Sequence, residues 1–157
     1  MKKLFSYSAL LLAIILFVIP IGNFVQSDIV YAATSQEKKA LKITKEIKEE
    51  YHTIGGGLSK KRLKVELSDL SYFGYDENFS KKEIDYAVKN CGINWKKEAL
   101  FAVNQVISVY DEYYDEPVTT DAMYNTIAQL CFTKQEMKWA FKKAGFPDDE
   151  IKEVLGN

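Results

Sequence analysis

Beyond residue 33, apolar residues recur three and four apart rather than two, which is the spacing of one face of an α-helix. In residues 79–93 (FSKKEIDYAVKNCGI) the apolar positions Ile84, Ala87 and Val88 share a face. In residues 132–146 (FTKQEMKWAFKKAGF) Met137, Ala140 and Phe141 do the same. The two segments align without a gap at an offset of 53, pairing Ser80 with Thr133, Glu83 with Glu136, Tyr86 with Trp139 and Gly92 with Gly145. Both carry their helix ends in the sequence. Ser80 and Thr133 are N-caps, Glu83 and Glu136 complete capping boxes, and Gly92 and Gly145 suit a left-handed C-terminal residue.

The likeness continues upstream. Ser59, Leu63, Leu67 and Leu70 match Thr119, Met123, Ile127 and Leu130 at an offset of 60, and Ala40, Leu41, Ile43, Ile47 and Tyr51 match Ala99, Leu100, Ala102, Val106 and Tyr110 at 59. The offset changes because residues 71–78 of the first copy face only Cys131 in the second. The chain therefore reads as all-α, with two tandem three-helix, helix-turn-helix-like repeats. The boundaries are 1–32 for a leader, 33–93 for the first repeat and 94–157 for the second. Asn94 caps the helix opening at Trp95, an expected anchor against the first copy, and the acidic stretch after Pro147 starts a short C-terminal helix.

The N-terminal pattern differs. Lys2 and Lys3 precede an apolar run over residues 9–21, and Val30 and Ala32 place small or compact side chains three back and one back from a cut after Ala32. This predicts export, with a cleaved signal peptide. The rival is an uncleaved signal anchor, since residues 4–26 carry no charge and are long enough to span a bilayer. No cysteine precedes Cys91, which excludes lipid attachment at a cut. Either way the body is expected outside the membrane, which it meets only through an uncleaved leader.

Residues 79–90, followed by Asn94, Trp95, Glu98, Ala99 and Leu100, resemble the Ltp-like repeat, the helix-turn-helix-type domain of host cell surface-exposed lipoproteins. The likeness covers residues 40–146 and is closer in the first copy; the second has Trp139-Ala140-Phe141 in place of Tyr86-Ala87-Val88. The resemblance implies an all-helical bacterial surface protein. Its role would be superinfection exclusion, by stoichiometric binding of a phage DNA-injection component outside the membrane. The family members acting in this way are lipid-anchored, and this chain lacks the lipobox cysteine.

Charge and chemistry narrow the classes. Taking Lys2, Lys3 and Asp28 from the chain's 21 basic and 22 acidic residues leaves 19 and 21, a net charge of −2. A nucleic-acid binder needs a concentrated positive face, so none is expected as a partner. His52 reads as a solvated turn histidine and the glycines at 55–57 as a hinge, which gives neither an enzyme nor a phosphate loop. Two cysteines and one histidine lack metal-ligand spacing, and no cofactor is expected. Cys91 and Cys131 are either a disulfide or two free thiols.

The strongest candidate surface is Tyr110 to Glu116, read as the turn between the first two helices of copy two. Asp111, Glu112, Asp115 and Glu116 would draw a basic partner, and Tyr113 and Tyr114 would contact it. The alternative is a solvated acidic loop with Tyr110 and one of its neighbours tucked into the core. Tyr72 and Tyr75 either extend this surface or cover the junction between copies. Ser59, Lys60, Lys61 and Arg62 open a helix with positive charge, a placement that suits an anionic wall polymer or is simply a solvated face. Two functions follow: an exported surface protein of the exclusion type, or a secreted or envelope-associated adaptor binding a wall polymer or host protein.

Overall fold

The computed structural model describes residues 32–156. The expected leader lies outside them but for Ala32, and residues 33–157 form one compact unit. Among the described residues there are seven α-helices and no strand: α1 (Ser35–Thr53), α2 (Lys60–Ser68), α3 (Lys81–Asn90), α4 (Trp95–Tyr113), α5 (Thr120–Ile127), α6 (Lys134–Ala144) and α7 (Asp148–Leu155). Single 3-10 turns stand at Ser71–Phe73 and Ala128–Leu130.

The helices begin where their caps dictate. Thr34, Ser80 and Thr133 each accept from the backbone N–H of the glutamate three residues on. Glu37, Glu83 and Glu136 each accept the cap's own N–H at 2.7 Å. Such a cap contributes about 1 kcal/mol. Ser59, Asn94 and Thr119 cap α2, α4 and α5 with side-chain oxygen alone. At the end of α6, Gly145 is left-handed at φ 93°, and the Phe146 N–H reaches back to the carbonyl of Phe141.

In each copy the first helix packs most extensively on the third, α1 on α3 and α4 on α6. The paired first-helix positions follow the sequence alignment, since Ala40 and Ala99 are both fully buried. Two small units sharing one core were a possibility at this length; instead each copy has its own. Ile43, Ile47, Leu63, Leu67, Ile84 and Val88 fill the first. Val103, Met123, Ile127, Met137, Phe141 and Ile151 fill the second. The join is α4, whose opening residue Trp95 packs with Ile93 on the first core while Ala99, Ala102 and Val103 lie in the second. Trp95 is the anchor its position suggested.

The extra residues of copy one close its own core. Phe73 and Tyr75 pack on that core and Tyr72 stays exposed. The 3-10 turn there ends at left-handed Gly74. In copy two the corresponding turn ends at Cys131, the one non-glycine residue with positive φ among those described. In copy one, buried Tyr51 donates to Glu66 at 2.7 Å and accepts from Arg62 at 2.6 Å. Burial, and then the bond to Glu66, push the Tyr51 hydroxyl pKa up to about 12.

The glycines at 55–57 form a packed corner, which corrects the hinge expected from their run. Gly55 is left-handed and the Gly56 N–H bonds the Tyr51 carbonyl at 2.8 Å, tying off α1. Gly57 lies so close to α4 that a Cβ there would stand 2.1 Å from the backbone oxygen of Glu98. No flexible side chain is available to yield, because the obstacle is helical backbone. Gly57→Ala is therefore expected to destabilise the fold by about 2–3 kcal/mol, read by urea unfolding followed at 222 nm. Gly56→Ala, whose Cβ would meet nothing closer than 3.6 Å, is the milder comparison.

Candidate functional site

The expected binding residues fall at the far end of α4, and the helix runs further than a turn there would allow. It continues through Tyr113, whose successor Tyr114 is extended while its N–H still bonds the Tyr110 carbonyl at 2.8 Å. Pro117 then keeps the chain extended. Asp111, Glu112 and Tyr113 thus stand on the last helical turn, and Tyr114, Asp115 and Glu116 follow it. None of the tyrosines is tucked into the core, contrary to the alternative drawn from sequence. Tyr113 is 70% and Tyr114 61% exposed, and half-buried Tyr110 stacks on Tyr114 with ring centroids 4.7 Å apart.

All four acids are exposed, and among the described residues none is in an ion pair. Acids at a helix C-terminus oppose the negative end of the backbone dipole, and the last turn of α4 holds no basic residue to offset them. This end of the molecule is therefore held at a net negative potential, against local stability.

Beside it lies a groove of about 420 Å³, missed from sequence. Ile107, Val118, Phe146 and Pro147 give it apolar walls, with Asp111 and Glu150 among its lining. Thr120 donates to Glu150 and fixes that carboxylate. Asp148 and Asp149 share the first turn of α7 with Glu150. Asp111 and Glu150 are far apart in sequence, so only the packing of α7 on α5 and α6 brings them together. The trace in the sequence was the acid run after Pro147, read there only as a helix start.

A second polar centre sits where the copies meet. His52 lies in the last turn of α1, not in a solvated turn. Its Nε2 stands 2.7 Å from Glu98 Oε2, and its ring stacks on Phe101 at 4.0 Å. Glu98 is 4% exposed. It also meets Lys48 Nζ at 3.2 Å and accepts the Leu58 N–H at 3.3 Å. One carboxylate of copy two thus binds two side chains and a backbone group of copy one. The pairing escaped sequence reading because Glu98 looked like an ordinary first-turn acid and His52 looked terminal.

Cys91 and Cys131 are free thiols, bonding the carbonyls of Val88 and Gln129. Among the described residues no group of His, Cys, Asp and Glu is arranged to hold a metal ion. No protein-family model, curated protein or solved structure matches the chain.

The Glu98 cluster makes an ordering testable. Glu98→Leu frees Lys48 and His52, which reach water, and is expected to cost about 1–2 kcal/mol. Removing both side-chain partners, Lys48→Ala with His52→Ala, strands a buried carboxylate and is expected to cost more, about 3 kcal/mol. Urea unfolding of the two variants checks the order; the reverse order would show that Glu98 is not held by these two side chains.

Proposed function

We propose that this chain is an exported protein acting at the cell surface by stoichiometric binding, and that it holds a basic partner at the acidic-aromatic end of α4. The observation that carries the reading is the conjunction there. Four exposed acids, in no ion pair among the described residues, and two exposed tyrosines stand beside an apolar groove lined in part by Asp111 and Glu150. Acids held at an unfavourable helix end cost stability, and an incoming basic segment would offset that cost. The tyrosines offer large, stiff contact area with a polar tip, and the groove accepts one apolar side chain of the partner. The second core anchors the helix beneath, so the surface is presented ready-made.

The export pattern of residues 1–32 and the resemblance to the Ltp-like repeat supply the setting. On that reading the partner is a phage DNA-injection component and the outcome is superinfection exclusion. Cells expressing the full chain, challenged with phage, should show reduced plating. Changing Asp111, Glu112, Asp115 and Glu116 to Ser should restore plating with helicity and surface amount unchanged. Loss of electrostatic steering of this kind lowers association rates by about 10- to 1,000-fold. Equal exclusion by the native chain and the serine variant would contradict the acidic surface. No exclusion by the native chain would contradict the exclusion role.

A further inference from the structure

A roomy cleft lies at the other end of α4, where it meets α1. Its volume is about 850 Å³, several times what a lone ion needs. Three lysines line it: Lys45 and Lys48 from α1 and Lys97 from α4. His52, Glu49, Glu98 and the Cys91 thiol complete its ionisable groups. Lys48 and His52 are committed to buried Glu98. Lys45 and Lys97 are exposed, and among the described residues neither is in an ion pair. Two ammonium groups from different helices therefore face one open cleft, with Glu49 the one carboxylate not already engaged.

Lys97 stands where the helix chemistry calls for the opposite charge. In α1, α3 and α6 the third helical residue is the glutamate of a capping box: Glu37, Glu83 and Glu136. In α4 that position is Lys97, following Lys96, and the only acid of the turn, Glu98, is turned inward to hold the first copy. A positive side chain at the positive end of a helix dipole is unfavourable by itself. The first turn of α2 is basic as well, with Lys60, Lys61 and Arg62; what sets α4 apart is the cleft over its first turn, with Lys45 of α1 lining the same space. A bound anion would reverse the sign of the effect, since it would meet Lys45, Lys97 and the helix dipole together.

The rest of the cleft fits an anion carried on a hydroxylated chain. Thr53, Asn94 and Glu49 line it with groups able to exchange hydrogen bonds with hydroxyls, and Ile93 adds an apolar wall. We infer that the cleft between α1 and α4 binds a phosphodiester-linked polyol of the cell-wall type, with Lys45 and Lys97 gripping successive phosphates. The choice of a wall polymer over another phosphate compound rests on the export reading; the anion site itself does not.

The test uses the full chain and soluble poly(glycerol phosphate), with binding followed by calorimetry. The native chain should bind, and Lys45→Gln with Lys97→Gln should weaken binding at least about tenfold, the usual worth of charge-assisted contacts. Lys138→Gln with Lys143→Gln, the same charge change on α6, should leave binding unaltered. Circular dichroism checks that all variants fold. Absence of binding, equal loss in the α6 control, or binding only to anionic phospholipid vesicles without polymer would each overturn the proposal. Cell fractionation separates the anion site from the export reading. A chain that stays inside yet binds polymer through Lys45 and Lys97 removes the export reading and leaves the site.

Discussion

A single buried carboxylate organises how the two copies meet. Glu98 is nearly inaccessible to water, and a carboxylate in that position is tolerable only when it is fully paired. Its partners, Lys48, His52 and the Leu58 N–H, all belong to the first copy, while its own helix forms the spine of the second. The absence of a side chain at Gly57 lets the corner after α1 come close enough for this to happen. The junction is therefore specified by charge and by close backbone approach, while each copy keeps a separate apolar core.

That arrangement leaves α4 with two differently charged ends. Where it opens, Lys96 and Lys97 stand against the positive end of its dipole; where it closes, Asp111 and Glu112 stand against the negative end. Both placements are the reverse of what would stabilise an isolated helix. Their cost is borne by burial of Ala99, Ala102 and Val103 in the second core, which holds the helix whatever its ends carry. One helix thus carries a basic cleft at one end and an acidic, tyrosine-rich surface at the other, the two places where binding is proposed.

Much of this was legible in the sequence, and the divide is physical. Caps act over three residues, so Ser80 with Glu83 and Thr133 with Glu136 announced α3 and α6, and hence the repeat and the all-α class. The buried faces followed from helical spacing, as Ala40 and Ala99 show. What escaped depended on residues distant in the chain. His52 and Glu98 are 46 residues apart and each looks solvated alone. The glycines at 55–57 are as consistent with freedom as with close packing until the opposing helix is known. The exposed acids and tyrosines of residues 111–116 were legible, but the groove beside them needed Phe146 and Glu150, which lie at and beyond the end of α6. The second left-handed turn, at Cys131, was hidden because cysteine rarely takes that conformation.

Two copies with separate cores are expected to behave as one body through the Glu98 junction. Native-state hydrogen exchange of the full chain across a urea series tests it most directly, following Ile47 in the first core and Val103 and Phe141 in the second. If the junction couples the copies, these amides open together and converge on one urea-dependent isotherm. If the two cores exchange on separate isotherms, with one opening while the other stays protected, the copies are independent and the junction holds nothing together.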